Sequence, residues 1–243
     1  MSEQIERAKH RVEKKNPSGK YIAYFQSYTN TYAPVKRLEA LFGEALAHPD
    51  IAALSVGTRP DCLPPEVLEL LARLNKIKPV WVELGLQTIH EQTAEKIRRG
   101  YDLSVFDKAV KDCKAAGLYT VVHMIIGLPG ETPEMAAQTA DYIGKSGADG
   151  IKLQLLHVLR GTDMAEQYAA GEFEVMSMEE YISALEECVR RLPPQMTVHR
   201  LTGDGDKKYL IAPLWSADKK RVLNAVNGAF RRDNVVQGEH YEV

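Results

Sequence analysis

Glu83 and Gln87 lie four residues apart in a stretch that alternates in character, and a carboxylate and an amide placed this way could hold a polar ligand. With His123 and Lys152 the carboxylate could also serve acid–base chemistry. The stretch runs from Val80 to Thr88 and reads Val-Trp-Val-Glu-Leu-Gly-Leu-Gln-Thr. Its β-branched and aromatic first half favours a strand. Alternation places Val80, Val82, Leu84 and Leu86 on one face and Trp81, Glu83, Gly85 and Gln87 on the other. A strand between helices is ordinarily apolar on both faces. Burying these polar groups unpaired would cost on the order of 2–7 kcal/mol for a neutral group and more for a charge. They must therefore find partners inside the protein or face a ligand.

Three further stretches repeat the pattern. From Ile51 to Gly57, Leu54 and Val56 oppose Ala53, Ser55 and Gly57, which lead to Arg59. From Tyr119, Val122, Met124 and Ile126 oppose Val121, His123, Ile125 and Gly127. From Gly150, Ile151, Leu153 and Leu155 oppose Lys152, Gln154 and Leu156. One face of each is aliphatic and suited to helices; the other carries small or polar residues. A barrel or half-barrel with a concave ligand-holding face needs that second face, and its sites gather at the C-terminal ends of the strands. Singly, the residues say less. His123 also reads as a satisfied core histidine, and Lys152 as a side chain snorkelling out at a strand start. Gly127-Leu128-Pro129-Gly130 lets backbone approach a ligand closely, but is equally ordinary turn punctuation.

The elements that must position these residues alternate along the chain. Strands over Tyr21–Gln26, Ile51–Gly57, Val80–Thr88, Tyr119–Ile126, Gly150–Val158 and Thr197–Leu201 are separated by helical patterns. Repeats of about 30 residues imply right-handed βαβ crossovers and a parallel sheet. The expected organisation is one domain over 1–243, with an N-terminal helix in about 1–20 and an extension from about 195 onward. The 243 residues are 44% hydrophobic and carry a formal net charge of −2, enough for a large core. That charge indicates neither a nucleic acid nor an anionic membrane as partner, although a local basic patch is compatible with it. No apolar run spans a bilayer and the first residues have no signal-peptide core, so a cytoplasmic protein is expected. Cys62, Cys113 and Cys188 are too far apart for a CxxC-type metal site and suit a reducing compartment. Cys113 and Cys188 read as small buried hydrophobes, and Cys62, after a strand end, as the one with room for a role. Walker, GxGxxG, zinc-helix and nucleophile-elbow motifs are absent.

Five motifs occur in order: Phe25 to Tyr32 (Phe-Gln-Ser-Tyr-Thr-Asn-Thr-Tyr), Gly57 to Asp61, Glu83 to Thr88, Gly127 to Glu131 and Ile211 to Trp215. Together they resemble a bacterial family of radical S-adenosylmethionine (radical SAM) proteins. That family is similar to the radical SAM domain of the elongator acetyltransferase and, more distantly, to oxygen-independent coproporphyrinogen oxidase. The resemblance implies a partial (β/α)6 TIM-like barrel of parallel strands, here with the first strand missing. It implies SAM as cofactor and a [4Fe–4S] cluster in full-length relatives, where reductive cleavage yields a 5′-deoxyadenosyl radical that abstracts a substrate hydrogen. By resemblance, Ser27, Tyr28 and Thr29 meet the methionine amino group through backbone. Gln87 lies near the ribose, Arg99 pairs with the SAM carboxylate, and Gly127 and Leu156 border the adenine. His123 stands where relatives place an aspartate near the adenosyl group, and Gly57 where they often carry a ribose-binding glutamate. Glu83 has no counterpart. The family's CxxxCxxC is absent from this sequence. The chain as given is therefore expected neither to hold the cluster nor to cleave SAM. Two other readings compete: a cluster-free binding or scaffold protein, and a cofactor-independent barrel enzyme. An open barrel side would leave a sheet edge and favour a homodimer.

Overall fold

A computed structural model describes residues 2–12, 19–26, 28–203 and 205–242. Strand and helix alternate as the hydrophobic periodicity requires. A six-stranded sheet has the order β1 (Tyr21–Phe25), β2 (Ile51–Thr58), β3 (Val80–Gln87), β4 (Tyr119–Ile126), β5 (Gly150–Leu155), β7 (Thr197–Arg200), and β6 (Val158–Leu159) and β8 (Leu210–Ala212) form a separate two-stranded sheet. This is the α/β class expected from the sequence. The chain divides into two compact units, Met1–Gly85 with Ser104–Val121, and Leu86–Leu103 with Val122–Val243.

In the first unit, β1 (Tyr21–Phe25) pairs in parallel with β2 (Ile51–Thr58), and β2 with β3 (Val80–Gln87). The register sets Tyr24 opposite Ser55, and Gly57 opposite Glu83. The aliphatic face is dry: Leu54, Val56, Val80, Val82 and Leu84 have no solvent exposure. It packs under α2 (Val35–Ala47) and α3 (Pro65–Asn75), which bury Leu38, Phe42, Leu70 and Leu71 at helical spacing. Ile5 of α1 (Ser2–Val12) packs against Ala45 and Ile51. Side chains fix the joints. Asn75 accepts the Val80 amide at 2.8 Å and donates to the Gly117 carbonyl at 3.0 Å, just past α5 (Leu103–Ala115). Lys78 donates to the carbonyls of Leu46 in the last turn of α2, of His48 just past it and of Ile51 at the start of β2, pinning that joint.

The second unit follows the same logic. α4 (Glu91–Lys96) is short, β4 spans Tyr119–Ile126, and α6 (Pro133–Lys145) begins at Thr132, whose side chain caps the Met135 amide. β5 (Gly150–Leu155) pairs in parallel with β7 (Thr197–Arg200). α7 covers Asp163–Ala169, and α8 (Met178–Arg190) opens on the Ser177–Glu180 capping box expected from sequence. Where the sequence suggests one strand to Val158, the structure ends β5 at Leu155. Val158–Leu159 forms β6 and pairs antiparallel with β8 (Leu210–Ala212), which the sequence pattern misses. Two- and three-residue strands carry no measurable periodicity. α9 (Lys219–Arg232) closes the order.

Candidate functional site

In the first unit the polar face of the strands is internally satisfied. Glu83 is 3% exposed; its Oε1 accepts the Ser55 hydroxyl at 2.5 Å and its Oε2 the Tyr24 hydroxyl at 2.9 Å. The arrangement fits a buttress tying three strands. Gly57 is the residue directly across the ladder from Glu83. A Cβ at position 57 would stand 3.2 Å from the Phe25 carbonyl oxygen, so even the first atom of a longer side chain is crowded by backbone. The Gly57 carbonyl accepts from the Asn30 amide at 3.2 Å and from its side chain at 2.9 Å. Asn30 also donates to the Phe25 carbonyl, so one side chain clamps the ends of β1 and β2. Thr31 and Thr58 hydroxyls meet at 2.6 Å. Tyr28 is 98% exposed at φ 62°, Thr29 is half-buried, and Ser27 lies outside the described residues.

Of the candidate cofactor residues of the second unit, Gln87, Gly127 and Leu156 sit at or just past strand ends, His123 lies within β4, and Arg99 follows α4. Gln87 is half-buried with φ 70°, where β3 turns away. On β4, Met124 and Ile126 are buried on the aliphatic side while His123 and Ile125 remain half-buried on the other, as alternation predicts. His123 Nδ1 and the Gln154 amide nitrogen are 3.0 Å apart. An amide nitrogen can only donate, so Nδ1 is the acceptor in this contact. Gly127 has φ 86°, and a Cβ there would lie 3.4 Å from Met176 Sδ. Leu156 is buried just past β5 and donates its amide to the Ile126 carbonyl. Lys152 is 8% exposed, so it is held inside rather than snorkelling out.

Arg99 is 6% exposed and committed to local partners. It donates to the Tyr101 and Thr88 carbonyls at 2.9 and 2.7 Å and to both oxygens of Glu91. A ligand carboxylate at Arg99 would compete with Glu91. Thr88, fixed in this way, donates to Glu131 Oε1 at 2.5 Å. Glu131 Oε2 is buried with no hydrogen bond among the described residues, and burial pushes the carboxyl above its ordinary range against the opposing pull of Thr88. The sequence displays Glu131 at the end of a glycine turn but nothing in it announces the Thr88 partner 43 residues away. Cys113 and Cys188 are buried on separate helices and Cys62 is half-buried; burial holds the Cys62 thiol above its usual range. Among the described residues no three His, Cys, Asp or Glu side chains converge to hold a metal.

Residues 2–143 match the profile of the radical SAM superfamily, and residues 148–232 that of the Radical_SAM C-terminal domain. The chain belongs to the radical SAM superfamily. Among similar proteins, an uncharacterised protein of Bacillus subtilis, YtqA, is 42% identical over 234 residues, covering 96% of this chain and 73% of its own length. The archaeal Methanocaldococcus infernus Elp3 structure with residues 1–46 deleted superposes with a TM-score of 0.80 at 20% identity, covering 94% of this chain and 58% of that one. Coproporphyrinogen III oxidase (HemN) from Escherichia coli, a radical SAM enzyme, gives 0.54 at 20% identity, covering 69% and 39%. At these identities the two structures show the fold alone, the partial TIM-like barrel expected of a radical SAM domain.

Proposed function

We propose that this chain is the SAM-binding barrel of a radical SAM enzyme, organised as one domain over 1–243 with a C-terminal extension from about 195. The observation that carries the reading is the row of half-buried polar groups on the non-aliphatic side of the second unit's strands, in a chain of this superfamily. Gln87 offers an amide with both donor and acceptor for ribose hydroxyls. Gly127, with no side chain and a left-handed backbone, leaves backbone accessible to the adenine, and Leu156 supplies apolar contact. His123, oriented by Gln154, presents its face near the adenosyl group. Arg99 serves first by holding the Thr88 loop, and reaches the SAM carboxylate only by sharing its guanidinium with Glu91. In the first unit, the backbone of Ser27, Tyr28 and Thr29 is proposed to meet the amino group on the strength of the resemblance.

The residues present do not fit a [4Fe–4S] cluster. In relatives that cluster supplies the electron for SAM cleavage, and it requires thiolates that converge. Two of the three cysteines here are buried on different helices. We infer that the 243 residues bind SAM without cleaving it. Anaerobic reconstitution with iron and sulfide should leave the chain with substoichiometric iron and no 5′-deoxyadenosine. Stoichiometric cluster with turnover would overturn the inference. Among the described residues, no helix is long and apolar enough to cross a membrane.

A further inference from the structure

We propose that the solvent face of α9 is an RNA-binding surface. The stretch from Arg200 to Arg232 holds eight Lys and Arg against three Asp, a local +5 in a chain of net −2. Within α9 there are five basic residues and no acidic one. The helix buries Val222, Val226 and Ala229. At 100° per residue, the opposite side presents Lys220, Asn224, Asn227 and Arg231, all exposed, with Arg221 beside them. These eleven positions of rise span roughly 16 Å, enough to follow several successive phosphates of one strand.

The cations on this face lack the partners found on other helices. Lys108 pairs with Asp112 on α5, Lys145 with Asp141 on α6, and Arg191 with Glu187 on α8. The side chains of Lys220, Arg221 and Arg231 have no hydrogen bond or ion pair among the described residues. Of the acids bordering α9, Asp218 caps the Arg221 amide and Asp233 pairs with Arg232, while Glu179 and Glu186 of α8 line a groove on the side of the helix that carries Ala225, Gly228 and Arg232. An exposed helix without internal neutralisation is suited to a polyanion. The apolar stripe of α9 is packed into the fold, so it has no face left to sink into a bilayer. Asn224 and Asn227 each offer a donor and an acceptor between the cations, matching the 2′-hydroxyl that distinguishes RNA from DNA. Earlier in the same basic stretch, Tyr209 is 44% exposed with Lys208 5.2 Å above its ring, a surface on which an unpaired base can stack.

The test is fluorescence anisotropy with a labelled, unstructured RNA of about 20 nucleotides, titrated with the full chain at several salt concentrations. Wild type should bind, with affinity falling roughly ten- to a hundredfold between about 50 and about 200 mM salt. The double variant Lys220→Gln/Arg231→Gln should bind about five- to tenfold more weakly at low salt, with the log–log salt slope reduced by about 1.4. Both substitutions are at exposed positions, and an unchanged thermal unfolding curve confirms that the fold is intact. Absence of RNA binding, or a double variant with unchanged affinity and slope, would overturn the proposal. Equal affinity for DNA of the same sequence would overturn the choice of RNA, and charge-dependent binding to phosphatidylserine vesicles in place of RNA would assign the face to a membrane instead.

Discussion

The Ser55 hydroxyl donates to the Glu83 carboxylate at 2.5 Å, although the residue paired with Ser55 across the ladder is Trp81. The contact is diagonal because Gly57, the true cross-strand neighbour of Glu83, has no side chain to offer. Tyr24 completes the set from β1 at 2.9 Å. A buried carboxylate is thereby paid for by two hydroxyls on two other strands. Ser55→Ala should destabilise the protein by about 1.5–3 kcal/mol, the range for a hydrogen bond to a charged group, and Tyr24→Phe by less because Tyr24 is partly exposed. Chemical denaturation of both single variants and the double variant reads this directly; additive effects would mean that the two hydroxyls do not share Glu83.

Gly57→Ala should cost about 1–3 kcal/mol, since its Cβ would press on the Phe25 carbonyl and strands cannot yield as a side chain would. Substitution with Glu should be worse still, since a longer side chain meets the same backbone. A Gly57→Ala protein with an unchanged unfolding midpoint would show that β1 and β2 can separate freely.

Glu131 provides a pH signature. Its folded-state carboxyl titrates above the ordinary range because burial disfavours the charge. Between the unfolded and folded values the native state binds more protons, so this group's contribution to stability falls as pH rises through that window and levels off above it. Glu131→Gln removes the titration while keeping an oxygen to accept from Thr88. Relative to wild type, its melting temperature should therefore rise from acidic to neutral pH. A difference that is constant across that range would contradict the assignment.

Much of this was legible in advance. Alternation over Val80–Gln87 and Tyr119–Ile126 separates residues that the structure buries completely from those it leaves half-open, with Glu83 and Val121 buried on the second face as exceptions, because pleating fixes which side chains share a face. The roles of polar residues were less legible. Glu83 reads equally as ligand or buttress until Ser55 and Tyr24 are placed, and Arg99, matched by resemblance to a cofactor carboxylate, is seen to hold Glu91. Such partners are brought together by tertiary packing and leave no spacing signature. The basic face of α9 is a different case: its residues are plain in the sequence, but a net charge of −2 averages them away.

The sheet edge bears on assembly. β1 ends the six-stranded order and exposes Ile22 and Tyr24, at 44% and 37%, beside a cavity of about 830 Å³ lined by α1 and β1. Homodimerisation through this edge is the proposal that follows from the sequence reading. Light scattering should show a dimer for wild type and a monomer for Ile22→Lys, since charge on an edge strand blocks pairing. A wild-type monomer at all concentrations would remove the proposal.

SAM binding decides the central claim. Isothermal titration of SAM into the iron-free chain should give saturable one-site binding that Gln87→Ala weakens by about tenfold, the value of one lost hydrogen bond near 1.4 kcal/mol. No heat of binding at millimolar SAM, from a chain whose unfolding curve shows it folded, would contradict the reading of this protein as a SAM-binding barrel.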